Sequence, residues 1–176
     1  MLPAADVVAI EHNGPCLQIG QAFDTLFGRV AALGLVPAAA PAVKTCTDKL
    51  ADPRPHLVKP APMAIAGMKA GQLMLVPTAR LVDGFIRSIP RGRSMNVRAL
   101  RAALAAAHGA EVCCPITTGF HLRTVAEAAW EARANGTPVS AITPVWRVLD
   151  AASPTLPKLS FDLAFIRDQR ALEGLS

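Results

Sequence analysis

The chain has 176 residues, of which 52% are hydrophobic and 18% charged, and its net charge is +5 at neutral pH. This length suffices for one hydrophobic core, and no apolar run is long enough to predict a transmembrane helix. The first residues lack the basic leader of a signal peptide, so we expect a cytoplasmic protein without a membrane partner. The basic charge favours a polyanionic partner.

The first 43 residues differ in composition from the rest. An amphipathic pattern predicts a helix over 18–33, and the Ala/Pro-rich stretch 35–41 is typical of a linker. We therefore predict an N-terminal extension over 1–43. Four prolines interrupt the next stretch: Pro53, Pro55, Pro60 and Pro62. They predict an irregular lead-in over 44–76, with an extended segment at its end from Leu73 to Val76.

Two helices are predicted next. Thr78 is a suitable N-cap for a helix that Pro90 terminates. Its apolar positions follow helical spacing: Leu81, Val82, Phe85, Ile86 and Ile89. A second helix is predicted from Val97 to His108, with Leu100 and Leu104 facing inward and Gly109 as its left-handed stop.

A third helix is predicted to open at Thr117, Thr118 and Gly119 and to end near Ala134. Its apolar stripe comprises Leu122, Val125, Ala126 and Ala129. An extended segment over 139–142 and a last helix over 162–172 follow. The fold class is therefore mainly α with minor β. A helix-turn-helix or winged helix over 77–176 has this order of elements.

Six arginines fall between residues 80 and 101, where Asp83 is the one acidic residue: Arg80, Arg87, Arg91, Arg93, Arg98 and Arg101. Such a cluster fits either contacts with several phosphates or a solvated helix face. The spacing of the four cysteines and four histidines matches no zinc site, so we expect no metal and no cofactor. The adjacent Cys113 and Cys114 are interpreted as reduced packing residues.

Five short motifs follow one another in a recognisable order. They are the Ile-Pro-x-Gly run at 89–92, the helix from Val97, His121 to Ala126, Pro144 to Val148, and Leu172-Glu173-Gly174. In this order they resemble the C-terminal domain of the O6-alkylguanine-DNA alkyltransferases. The resemblance covers roughly the last hundred residues. It implies double-stranded DNA, with or without alkylated bases, as the partner.

The resemblance also implies the loss of catalysis. Val145 stands where the family has its methyl-accepting cysteine, and Trp146 stands where it has the activating histidine. Valine offers no nucleophile, so we expect no enzyme activity. Trp146 is expected either to stack on a base in the lesion pocket or to close the core beneath the last helix. The expected pocket residues are Pro144, Val145, Trp146 and Arg147.

Other roles follow from the same resemblance. Arg123 matches the arginine that fills the gap left by a rotated nucleotide, and pairing with Glu127 is the alternative. Thr117, Thr118 and Gly119 are expected to bind phosphate at the helix N-terminus, or Thr118 to cap it locally. The expected DNA-binding residues are Arg123, Thr117, Thr118, Gly119, Arg93, Arg98 and Arg101.

Some residues depart from the family's pattern. Glu173 matches the acidic end of the catalytic relay, but with no histidine to orient we expect it to be a capping or surface residue. Arg147 is expected to support the loop. Val97 replaces a tyrosine that helps rotate the phosphate. Glu127 and Glu131 lie on the predicted recognition helix, where carboxylates would repel phosphates unless they face away.

Three functions are compatible with these residues. The leading hypothesis is a non-catalytic DNA-binding protein that detects alkylated bases and signals to a repair partner. The second is a methyltransferase with Cys113 or Cys114 as a relocated acceptor. The third is a protein-binding winged helix that uses no DNA and offers Trp130 or Trp146 as its contact surface.

Overall fold

A computed structural model of the chain describes residues 44–175. The extension predicted for residues 1–43, with its helix and linker, lies outside the described residues. The described helices are α1 (Cys46–Leu50), α2 (Ala79–Ser88), α3 (Val97–Ala107), α4 (Pro115–Ala134) and α5 (Ala164–Leu172). The described strands are β1 (Leu57–Pro60), β2 (Leu73–Val76) and β3 (Val112–Cys113), and two 3₁₀ turns cover Val145–Arg147 and Leu156–Lys158.

The three strands form one sheet in the order β1-β2-β3. β1 pairs with β2 in antiparallel register, Leu57 opposite Val76, and β2 pairs with β3 in parallel, Met74 opposite Val112. Residues 44–76, which we predicted to be irregular apart from Leu73–Val76, therefore contribute α1 and β1 as well. They belong to the same compact unit as the rest of the described chain.

The predictions for α2 and α3 are confirmed. Thr78 caps α2 by accepting a hydrogen bond from the Leu81 amide, and the helix ends just before Ile89 and Pro90. In α3, Asn96 is the N-cap, and Gly109 lies beyond the C-terminus at a φ of 64°. Such a positive φ favours glycine, as the sequence indicated.

Three boundaries after α3 differ from the prediction. α4 begins at Pro115, with Cys114 as its N-cap, because proline fits the first helical turn. The stretch predicted to be extended over 139–142 is a turn closed by a bond from the Ala141 amide to the Pro138 carbonyl, 2.9 Å. α5 begins at Ala164, two residues later than predicted.

The core lies between the helices and one face of the sheet. Its fully buried aliphatic side chains include Leu75, Ile86, Leu100, Leu104, Leu122 and Leu149. α4 lies at the centre, because almost every residue from 122 to 129 is buried. The prediction of a mainly helical fold with a small β component is confirmed, and within residues 44–175 no strand follows α4.

Two tryptophans pack in an aromatic cluster against α5. Trp130 stacks on Phe161, with ring centroids 4.8 Å apart, and Trp146 meets Phe165 edge to face at 6.0 Å. Trp146 is buried and Trp130 half-buried. The expectation of an exposed contact surface is therefore wrong for Trp146, whereas Trp130 keeps part of its indole exposed.

Among the helices of residues 44–175, none combines the length and the apolar character that a membrane span requires.

Candidate functional site

Glu173 connects three separate segments of the chain. Its carboxylate accepts hydrogen bonds from the Trp146 indole (2.9 Å), from two nitrogens of Arg147 (2.8 Å each) and from the Gly92 amide (3.2 Å). Arg147 also donates to the Ile89 carbonyl (2.6 Å). The Ile-Pro-x-Gly turn, the Pro144–Val148 loop and the C-terminal Glu-Gly pair therefore meet at one point, which we call the Glu173 network.

Glu173 is the C-cap of α5, in line with the expected capping role, but it is not a surface residue. Its side chain is 7% exposed and that of Arg147 is 14% exposed. The hydrogen bonds from Arg147 lower the pKa of Glu173 to about 2. A carboxylate in this setting stays ionised near neutrality, and its role in the fold is to hold the loop.

A cleft of about 440 Å³ lies beside this network. Pro144, Trp146 and Arg147 line it, together with Arg87 and Arg91 from the α2 end. Val145, predicted to be part of a lesion pocket, is 1% exposed and packs in the core instead. Trp146 lines the cleft. Its side chain is nevertheless part of the core, because it is only 4% exposed and is bonded to Glu173.

The predicted arginines divide between solvent and structure. Arg93 and Arg98 are exposed. Arg101 is half-buried and donates to the Cys113 carbonyl (3.0 Å), so it connects α3 to β3. Arg87 is paired with Asp83 (3.0 Å) and bonds the Ala141 carbonyl. The exposed members of the cluster are available for phosphates, whereas Arg101 and Arg87 also have structural partners.

The exposed face of α4 lies on its first half. Ile116 and Phe120 are 64% and 59% exposed, and Arg123, half-buried, follows at the same helical spacing. Gly119 lies on this face with open space around it. Arg123 is two turns into the helix and not at its start, because α4 begins earlier than predicted.

The assignment of Thr118 to phosphate binding, or to a cap, is wrong. Thr118 is fully buried, and its hydroxyl donates to the Cys114 carbonyl at 2.6 Å. Its amide is likewise bonded to the Cys114 carbonyl inside the helix. Thr117, one residue earlier, remains half-buried beside the exposed face.

The two glutamates of α4 do not face a DNA surface. Glu127 is 3% exposed and accepts hydrogen bonds from the Ser160 amide (2.7 Å) and hydroxyl. Glu131 accepts from the amides of Cys46 and Thr47, at the N-terminus of α1. Both carboxylates are used inside the fold, so the repulsion anticipated from the sequence does not arise on this surface.

The cysteines of the described chain pack in the interior. Cys46, Cys113 and Cys114 are buried. Burial raises the pKa of the Cys113 thiol, despite its contact with Thr118. A thiol in such a site is a poor nucleophile near neutral pH. Residues 44–175 also contain no cluster of three or more His, Cys, Asp or Glu that could hold a metal.

Sequence reasoning missed a second cleft, which we call the Phe120 cleft. It measures about 540 Å³ and lies between α4, the start of β1 and the segment after α1. Six residues that define it are Lys49, Arg54, Leu57, Thr117, Phe120 and His121. Ile116 and Phe120 lie off the stripe that we predicted to be buried, and this was the sequence feature that could have revealed an exposed apolar face.

Comparison of the chain with profiles of protein families, with curated proteins and with solved structures found no match.

Proposed function

We propose that this chain is a non-catalytic, alkyltransferase-like DNA-binding protein that recognises O6-alkylguanine-type bases and signals repair. One observation carries the proposal. Three motifs that resemble the family, at residues 89–92, 144–148 and 172–174, are far apart in sequence and meet in the Glu173 network. A chance similarity of short motifs gives no reason for them to be adjacent in space.

The proposal assigns roles to two helices. α3 is the first helix of the proposed helix-turn-helix and α4 is its recognition helix, whose first half offers Thr117, Gly119, Phe120 and Arg123 to a groove. The turn after α2 adds Arg93, and α3 adds Arg98. Phosphate contacts by these arginines would place the recognition helix on the duplex.

Loss of methyl transfer is part of the proposal. Val145 has no nucleophilic atom, and the Glu173 network binds an indole where the family has a histidine. The buried Cys113, with its raised pKa, is not suited to replace the missing thiolate. Recognition without a chemical step is the function that these residues fit best.

Fluorescence anisotropy with two duplexes, identical except for a single O6-methylguanine, tests the proposal. We expect tighter binding to the duplex with the lesion. Arg123→Ala should reduce that preference about tenfold, since an inserted arginine offsets part of the lost stacking. Arg133→Ala, at the other end of α4, is the matched control and should keep it. Equal binding of the wild-type chain to both duplexes would contradict lesion recognition.

Protein binding is the second candidate, favoured by the exposed Ile116 and Phe120. Exposed apolar side chains of this size mark contact surfaces in many proteins. Retention on a DNA column discriminates between the two, because phosphate contacts weaken as salt increases. A chain that is not retained even at low salt would favour a protein partner.

A further inference from the structure

The walls of the Phe120 cleft contain two buried polar atoms without a hydrogen-bond partner among the described residues. They are the Thr117 hydroxyl oxygen and the Nδ1 atom of His121. The two residues are four apart on α4, so their side chains lie on the same face of the helix. Buried polar atoms without partners cost free energy, and a ligand that bonds to both would remove that cost.

The apolar part of the cleft is suited to a flat ring. Phe120 is 59% exposed and Leu57 is 53% exposed, and both line the cleft. The Phe120 and His121 rings form a T-shaped pair with centroids 5.4 Å apart, and the exposed part of the Phe120 ring is available to a stacking partner.

Positive charge lies at the same cleft. Lys49 and Arg54 line it, and the Arg54 side chain is 83% exposed. Asp52 accepts from Nε and Nη2 of Arg54 at 2.7–3.0 Å. A guanidinium has five N–H donors, so Nη1 remains available to a further anionic oxygen.

The imidazole of His121 is suited to an uncharged hydrogen-bonding edge. Burial lowers the pKa of His121, and the positive charge of Arg54 lowers it further. The negative charge of Asp52 and a backbone hydrogen bond with Pro77 raise the pKa by less. A neutral imidazole has one nitrogen that donates and one that accepts. The Thr117 hydroxyl can also do either.

We infer that the Phe120 cleft binds a single nucleotide unit, with its base stacked on Phe120 and bonded to Thr117 and His121, and its phosphate at Arg54 and Lys49. The volume of about 540 Å³ lies within the range of small-ligand sites. If the nucleotide is an unpaired residue of DNA, the inference rests on the proposed function. A free mononucleotide has the same chemistry and is the other source.

The test compares three probes that carry the fluorescent base 2-aminopurine. They are a fully paired duplex, the same duplex with the base in a one-nucleotide bulge, and the free deoxynucleoside monophosphate. We expect the wild-type chain to bind the bulged duplex about tenfold more tightly than the paired one, and the 2-aminopurine emission to change on stacking.

Two variants assign this preference to the cleft. Phe120→Ala and Thr117→Val should each reduce the ratio of bulged-duplex to paired-duplex affinity, the first to near unity. Because the ratio is compared, a loss of groove contacts common to both duplexes does not affect the result. Met63→Ala removes another side chain that is 59% exposed and is the matched control. Circular dichroism and Tm verify that each variant is folded.

The outcomes separate the two proposals. For a chain that binds the paired duplex, two results would overturn the cleft inference: a bulge preference that Phe120→Ala and Thr117→Val leave intact, or equal binding of the bulged and paired duplexes. The DNA-binding part of the proposed function would stand in either case. Failure to bind any duplex at low salt would reject the proposed function. In that case, the cleft inference would be supported if the wild-type chain binds the free mononucleotide and Phe120→Ala abolishes this binding. It would be overturned if the wild-type chain does not bind the mononucleotide.

Discussion

The hydrogen bond between Trp146 and Glu173 was not expected from the sequence resemblance. The indole nitrogen donates to a carboxylate that also binds Arg147 and the Gly92 amide. A tryptophan has one donor and no acceptor, so it can hold this carboxylate but cannot pass a proton onward. The tryptophan at position 146 therefore supplies a structural bond but no acid–base chemistry.

Glu173→Gln is expected to destabilise the fold at neutral pH by about 3 kcal/mol. The carboxylate's pKa is lowered from 4.5 to about 2, and each pKa unit corresponds to roughly 1.4 kcal/mol. Glutamine keeps an acceptor for the indole but leaves Arg147 without its counter-charge. Urea unfolding at pH 7 measures the difference, with the exposed Asp168→Asn as control.

The same variant gives a pH test with a defined sign. Because the folded-state pKa of Glu173 is lowered, its stabilising contribution is present above about 4.5 and is lost as the pH falls towards 2. The difference in free energy of unfolding between wild type and Glu173→Gln should therefore become smaller as the pH falls. An equal difference at pH 7 and pH 2 would mean that the shape of the side chain, and not its charge, causes the lost stability.

The role of Glu173 could not be predicted from the sequence because its partners are distant. Arg147 lies 26 residues away and Gly92 lies 81 residues away. Local patterns place Glu173 near the end of a helix, where a surface position is the usual expectation. The same reason explains why Phe120 was missed, since the residues that complete its cleft come from the segment before β1.

At the level of elements, α4 divides into two halves with different tasks. Residues 122–129 are almost all buried and form the centre of the core. The first two turns present Ile116 and Phe120 to solvent. An interface built on the first half is thus attached to the buried centre of the fold, an arrangement that suits recognition.

The turn between α2 and α3 depends on Gly92, which has a φ of 74°. Gly92→Ala should destabilise the chain by about 1–2 kcal/mol, because alanine rarely adopts that conformation. Gly84→Ala, within the exposed face of α2, meets nothing within 4 Å and should stabilise by up to about 1 kcal/mol. Thermal unfolding measures both changes, and we expect a lower Tm for Gly92→Ala and a higher Tm for Gly84→Ala. A lower Tm for both variants would contradict the claim that the backbone conformation of Gly92 causes the destabilisation.

The elements that the sequence predicted well have their determinants close by. Thr78 and Pro90 limit α2, and Asn96 and Gly109 limit α3, so local chemistry suffices. α1 was missed because a helix of five residues is marginal alone and depends on Glu131, which lies 85 residues from Cys46. β1 was missed because it ends in Pro60 and exists through pairing with β2.

For the molecule as a whole, the distribution of charge predicts how the proposed DNA binding responds to salt. Arg93 and Arg98 are exposed, whereas Arg101 and Arg87 are bonded within the fold. The double variant Arg93→Ala/Arg98→Ala should lower the slope of log K against log salt by about 1.8, since each lost phosphate contact contributes roughly 0.9.

The control for this measurement keeps the change in net charge the same. Lys158→Ala/Arg167→Ala removes two exposed cations from the C-terminal part of the chain and should leave the slope unchanged. Equal changes in both double variants would show that net charge, and not a defined surface, determines the affinity.

The aromatic cluster against α5 has a spectroscopic consequence. The chain contains two tryptophans and no tyrosine, and both indoles pack on Phe165, at 5.4 and 6.0 Å. Intrinsic emission above 300 nm therefore originates entirely from the seam between α5 and the rest of the fold. This emission is expected to change when that last helix detaches. It is not expected to change when a ligand binds at Phe120, so an extrinsic fluorophore is needed to follow binding there.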